Sequence, residues 1–252
     1  MSHRHQIRAS MIGSSVSKFS VVIPLIPQHD RELGRIFKEL KNSEENIKEI
    51  IICRSETLFG QKRTIENMKR RAEKSGMNPE LLRFSFVSGK ATAGENRNRG
   101  WNLASGSFVA FLDADDSYIN NRLEVIGKVL EKSNAKAVLH KYRNSSNGVN
   151  QIQDPAFAVE RIMLNKAGIF STKNSQVSFH CAHLTLDTSL RNVYQYTDMF
   201  PGEDLELVIR LIEDGVEVLH IDYELSSWNR DRSPRYEIRR MRKKILSLTF
   251  RR

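Results

Sequence analysis

The chain has 252 residues, 39% hydrophobic and 28% charged, proportions of an ordinary water-soluble globular protein. No apolar run approaches the roughly 18–20 residues of a bilayer span and the N-terminus lacks a secretory apolar core, so the expectation is a cytoplasmic protein. The formal charge of +10 belongs to the ends, with +3 on residues 1–18 and +8 on residues 230–252; this leaves −1 on 19–229 and argues against a nucleic-acid-binding body.

Residues 19–25 (FSVVIPL) predict a buried strand closed by Pro24 and Pro27. Asp30 is placed to cap a helix whose apolar Leu33, Ile36, Phe37 and Leu40 fall at helical spacing. Residues 49–53 predict a second strand. Ile65, Met68 and Ala72 mark a helix stopped near Gly76 and Pro79, and residues 82–87 a third strand. Gly94 opens a short helix that Gly106 breaks, and the strand 108–112 ends in Asp113, Asp115 and Asp116. Leu123, Ile126, Val129 and Leu130 form one helical face; 136–140 reads as a strand and 142–153 as a polar hairpin or mobile loop. Further on, 177–186 reads as a strand, 205–212 as a helix ending before Gly215, and 216–221 as the closing strand. Strand–helix alternation in the first half predicts a mostly parallel sheet with helices on both faces. Cys53 and Cys181 lack metal-like spacing and read as reduced, buried small hydrophobes.

A buried strand that delivers carboxylates at its C-terminal end sits where open α/β sheets place ligands. Residues two apart in extended backbone share a side, so Asp113 and Asp115 can address one hard cation or one polar ligand.

Four segments extend this reading: FSVVIP at 19–24, Asn96-Arg97-Asn98-Arg99-Gly100, FLDADD at 111–116, and Gly202-Glu203-Asp204-Leu205-Glu206-Leu207 followed by Arg210-Leu211 and Gly215. In this order, over about residues 19–233, they resemble glycosyltransferase family 2, nucleotide-sugar enzymes of GT-A fold. The resemblance implies an α/β fold, a single Rossmann-like domain at 19–233 with a mostly parallel central sheet flanked by helices. Residues 19–120 would bind the nucleotide sugar and 121–233 the acceptor. The implied reaction is inverting, metal-dependent transfer of a sugar from a nucleotide-diphosphate donor to a hydroxyl of a saccharide or lipid-linked acceptor, in polysaccharide or glycolipid biosynthesis. No nucleic acid partner is implied.

By the same resemblance, Asp115 holds Mn2+ or Mg2+ directly and Asp113 contacts the ribose or assists the metal. Asp204 is the base that takes the acceptor proton, with Glu203 beside it. Arg97 orders the site near the phosphates, Arg230 or Arg232 pairs with diphosphate oxygens, and Pro24 closes the first strand beside the nucleotide. The second strand departs from the family's Asp-Asp-x-Ser pattern, reading Cys53-Arg54-Ser55-Glu56, with Glu56 the candidate nucleobase reader. The loop at 25–29 also lacks the usual Tyr-Asn. A nucleotide-sugar-binding module without turnover is one alternative. Another is a haloacid-dehalogenase-type phosphatase using Asp113 as nucleophile in FLDADDS.

His180 and His183, three apart on the expected strand, do not share a face; each is either a metal ligand or a structural histidine. Residues 1–18 form a basic N-terminal tail. In 234–252, Ile238, Met241, Ile245 and Leu248 recur at helical spacing among Arg239, Arg240, Arg242, Lys243 and Lys244. Such a helix either makes peripheral contact with the inner face of the cell membrane or docks on its own body.

Overall fold

The computed structural model describes residues 6–7, 18–57, 59–119, 121–144, 157–164, 170–173, 177, 180, 183–198 and 202–228. Cys181, Arg230, Arg232, most of the tail 1–18, the remainder of the predicted loop after 144 and the basic helix 234–252 lie outside these residues.

In chain order the elements are β1 (Gln6–Ile7), β2 (Phe19–Leu25), α1 (Leu33–Lys41), β3 (Ile47–Arg54), α2 (Gln61–Lys74), β4 (Leu82–Phe86) and α3 (Ala93–Leu103). There follow β5 (Phe108–Phe111), β6 (Ser117–Tyr118), α4 (Arg122–Glu131), β7 (Ala137–Asn144), β8 (Phe157–Arg161), β9 (Met163–Leu164) and β10 (Phe170–Ser171). β11 (Thr185–Asp187), α5 (Glu203–Glu213) and β12 (Val218–Trp228) complete the set. Ten strands form one sheet in the order β1-β8-β12-β7-β11-β5-β2-β3-β4, with β6 paired to β12. β5, β2, β3 and β4 run parallel, as the alternation predicts. β12 and β7 form a second parallel pair, and β11 joins the two sets antiparallel to both β5 and β7.

β2 is buried at every position because both sheet faces are covered, which is why it reads as a continuous apolar run. Val21 and Ile23 pack with Leu33, Ile36, Phe37 and Leu40 of α1, and Val22 packs on the other face with Trp101 and Phe111. Thr92 and Glu95 form a capping box that starts α3. Gly100 lets that helix lie directly on the sheet: a Cβ there would stand 2.3 Å from Val22 Cγ1.

Four expectations are corrected. Asp30 caps nothing; α1 begins after Glu32 without a side-chain cap, and the Asp30 carboxylate is bound to Arg54. Among the described residues of the strand expected over 177–186, only Thr185 and Leu186 are extended, in β11; His183 instead donates its amide back to His180 O at 3.0 Å. β7 continues through Tyr142 to Asn144, residues read as the start of a loop, because β12 supplies a partner along that length. β12 for the same reason runs well past 221.

Candidate active site

The acidic segment emerges from the middle of the sheet. Leu112 donates its amide to Val22 O at 3.0 Å, and the chain then turns, Asp116 N–H returning to Asp113 O at 3.2 Å. The Asp113 amide donates to Tyr118 Oη at 3.1 Å. The turn thus leaves three carboxylates at one strand end, their oxygens within 4.8 Å of one another.

Each carboxylate has a different environment. Nη2 of Arg97, on α3, lies 2.7 and 2.9 Å from the two oxygens of Asp113. Burial alone would raise the Asp113 pKa, but the adjacent Arg97 charge outweighs it and holds the carboxyl below its ordinary value. Asp115 has no such counterion: burial, then the charges of Asp116 and Asp113, push its pKa up to about 7. His29, from the loop after β2, opposes that rise by its charge.

Asp116 is 1% exposed and lies 2.8 Å from Nε2 of His183, whose Nδ1 lies 2.7 Å from Ser226 Oγ on β12. Burial, then the neighbouring His180 and Arg122, lower the His183 pKa well below its usual value, so the ring is neutral. It donates to the carboxylate and accepts from the serine hydroxyl. The turn before β11 brings His180 against it, ring centroids 4.4 Å apart, contrary to the separation expected on a strand. Asp116, His180 and His183 also place ligand-type atoms within 4.8 Å, but both His183 nitrogens are already engaged. Sequence reasoning placed Asp116 at the strand end and gave it no role of its own. Its histidine partner lies on a separate segment, and no local spacing announces the contact.

The start of α5 closes the site from the other half of the chain. Gly94 of α3 makes room for it: a Cβ there would meet Glu203 Cγ at 3.1 Å and Tyr196 Cβ at 3.2 Å. Glu203 is 6% exposed and its Oε1 lies 3.5 Å from Nη1 of Arg97. Asp204 is half-buried, accepts the Leu205 amide at 2.8 Å and acts electrostatically on Arg97. The acids of this first turn, Glu203, Asp204 and Glu206, face the positive end of the helix dipole, a favourable placement. Asp113, Arg97, Glu203 and Asp204 therefore form one charged group, and Arg97 is both an ion-pair partner and part of the site.

At the ends of β2 and β3, Pro24 is buried opposite Cys53, a free thiol whose pKa burial pushes up to about 12. Arg54 replaces the expected acid, yet an acid is present: Nε and Nη2 of Arg54 bind Asp30 at 2.9 and 3.0 Å. Nη1 of Arg54 donates to Thr57. Glu56 takes a left-handed φ of 57°, unusual for a residue with a Cβ, and its amide donates to Gly89 O at 2.9 Å.

The donor set suits a hard divalent cation such as Mg2+ or Mn2+: oxygen ligands, close together, whose mutual repulsion, felt by Asp115 as a raised pKa, a cation would relieve. Asp115 and Asp113 would hold such an ion, with Asp116 anchored behind them.

A mixed α/β domain with a mostly parallel central sheet and this acidic turn between α3 and α5 is the GT-A arrangement. The family model described as Glycosyl transferase family 2 matches residues 20–189, and the chain belongs to that family. That membership sets aside the phosphatase alternative; the matched span ends before α5. The chain is 31% identical over 136 residues to the Escherichia coli UDP-Glc:alpha-D-GlcNAc-diphosphoundecaprenol beta-1,3-glucosyltransferase WfgD, an alignment covering 54% of this chain. It spans about half of that relative, 49% of its length. S. aureus TarS 1–349 superposes with a TM-score of 0.61 at 18% identity, over 84% of this chain and 60% of that one. The same protein in complex with UDP-GlcNAc gives a TM-score of 0.62 at 18% identity, over 84% of this chain and 58% of that one. These structural likenesses establish the fold.

Proposed function

We propose that the chain is a metal-dependent, inverting glycosyltransferase that moves a sugar from a nucleotide-diphosphate donor to a hydroxyl of a saccharide or lipid-linked acceptor, in polysaccharide or glycolipid synthesis. The observation that carries this reading is the Arg97 guanidinium, shared between Asp113 on the donor side and Glu203 beside Asp204 on the acceptor side. Residues 19–120 supply the donor half and 121–233 the acceptor half. WfgD's diphosphoundecaprenol acceptor supports the lipid-linked class and a cytoplasmic site at the inner membrane face. No helix among the described residues is long and apolar enough to cross a membrane.

In this mechanism Asp115 and Asp113 would hold the cation, which would neutralise charge at the diphosphate leaving group. Arg97 keeps Asp113 ionised and fixed in direction. Asp204 accepts the acceptor hydroxyl proton as that oxygen attacks the anomeric carbon, opposite the departing diphosphate. Glu203, held by Arg97, sets the position of the first turn of α5. Asp30, Arg54 and Glu56 form the nucleobase end, with Arg230 or Arg232 assigned to the diphosphate oxygens.

The test is a screen of UDP-, GDP- and dTDP-sugars with Mn2+ or Mg2+, followed by nucleotide release and product formation. Asp204→Asn should keep metal-dependent thermal stabilisation by the matching nucleotide and lose about 10²–10⁴-fold in turnover. Unchanged turnover in that variant overturns the base assignment. Stabilisation without any transfer by the wild-type chain would instead favour a binding module.

A further inference from the structure

The charge of −1 over residues 19–229 conceals an uneven surface. α2 carries six basic side chains against two acids, Glu66 and Glu73. At about 100° per residue, Arg63, Asn67, Arg70 and Lys74 follow one another along one side, with Arg71 on their flank. All five are exposed, while Met68 and Ala72 on the opposite side are buried. Of the two acids, Glu66 flanks the stripe on the side away from Arg71 and Glu73 lies beyond it, so the stripe itself carries cations only. Among the described residues Arg63, Arg70, Arg71 and Lys74 have no ion-pair partner, whereas Lys69, off the stripe, pairs with Glu80 at 3.1 Å. Immediately before the Gly60 cap stands Phe59, 90% exposed, the most exposed large apolar side chain among the described residues.

We propose that this face of α2 docks the protein on an anionic lipid bilayer, its cations against the headgroups and Phe59 inserted between them. Arginine and lysine near such a surface are attracted over about a Debye length, and an aromatic ring beside them gains by leaving water for the interfacial layer. The topology gives the surface a purpose. β3 and β4 are parallel, so the connecting α2 runs back against them, and its Phe59 end stands at the strand ends where the carboxylates of Asp113–Asp116 lie. Docking through α2 brings the mouth of the site to the membrane surface. The inference rests on the lipid-linked-acceptor reading above and is separate from any contact made by 234–252.

The test uses the full chain and vesicles of phosphatidylcholine with or without phosphatidylglycerol. Phe59→Trp should show a blue-shifted emission, after subtraction of the wild-type signal, on the anionic vesicles only. Adding R63E, R70E and K74E should abolish that shift and lower vesicle partition by roughly tenfold or more. A thermal melt and nucleotide-induced stabilisation, read on the same samples, report on folding and on the donor reading independently. Co-sedimentation without an emission shift places membrane binding elsewhere and overturns the proposal. So does unchanged partition of the triple variant, or an equal shift with single-stranded DNA.

Discussion

Arg97 and Asp113 meet through one nitrogen, Nη2 standing 2.7 and 2.9 Å from the two carboxylate oxygens, in a contact where the arginine is 3% exposed. The other terminal nitrogen faces Glu203 at 3.5 Å. Removing the cation leaves two acids, both largely out of water, without it. Arg97→Met should therefore cost about 3–5 kcal/mol in urea unfolding and abolish metal-dependent nucleotide binding. Arg97→Lys, with a single ammonium in place of the planar fork, should recover only part of both. Wild-type stability in Arg97→Met would exclude it as the counterion.

Asp115 behaves in the opposite sense to Asp113. Its carboxyl titrates at about 7 in the folded chain against an ordinary 3.8. The folded state thus holds a proton that the unfolded chain has released, a contribution to stability present below about pH 4 and lost as pH rises to about 7. A bound cation must displace this proton. Metal affinity should increase about tenfold per pH unit up to about pH 7 and level off above it. Titration calorimetry between about pH 5.5 and 7.5 reads this directly, and a flat profile removes Asp115 from the ligand set.

His183 bridges Asp116 and Ser226 at 2.8 and 2.7 Å. Ser226→Ala removes the hydroxyl that fixes the ring's tautomer and should cost about 1–2 kcal/mol. His183→Phe should cost more, about 3 kcal/mol, because a buried carboxylate loses a donor. Paired with Asp116→Asn in a double-mutant cycle, it should show a coupling above about 1 kcal/mol, and additive effects would mean that the bridge contributes nothing.

Gly100→Ala drives a methyl to 2.3 Å from Val22 Cγ1 and 3.1 Å from Cys53 Sγ. The expected loss is about 1–3 kcal/mol, with partial restoration by Val22→Ala in the same chain. Thermal melts of the single and double variants decide this, and a neutral single variant would mean that α3 lies less tightly on the sheet.

What could be read in the amino acids follows the range of the forces involved. β2, β3 and α4 announce themselves through apolar periodicity, and the Asp113–Asp116 turn through a strand that ends in acids. Thr92-x-x-Glu95 was also present as a helix-start signal and marks the N-terminus of α3 better than Gly94 does. The histidines were obscured because the His183 amide bonds back to His180 O and the two rings stack, which strand spacing does not foretell. The Asp30–Arg54 pair was obscured for a different reason: it joins the last residue of β3 to the helical turn after β2, and nothing in either segment encodes the other. The basic side of α2 vanished in a charge sum, which retains magnitude and discards direction.

β11 is three residues long, pairing Thr185, Leu186 and Asp187 with Ala110, Val109 and Phe108 on one side and, through its first two residues, with Val138 and Ala137 on the other. It is inserted between strands synthesised much earlier, and His183, which anchors Asp116, immediately precedes it. A growing chain that has just passed Asp116 therefore displays all three carboxylates of the turn before the residues that position them exist. Closure waits on a long-range pairing, the kind that folds slowly. A fragment cut after residue 120 would match the family by its letters and lack the brace that turns those letters into a site.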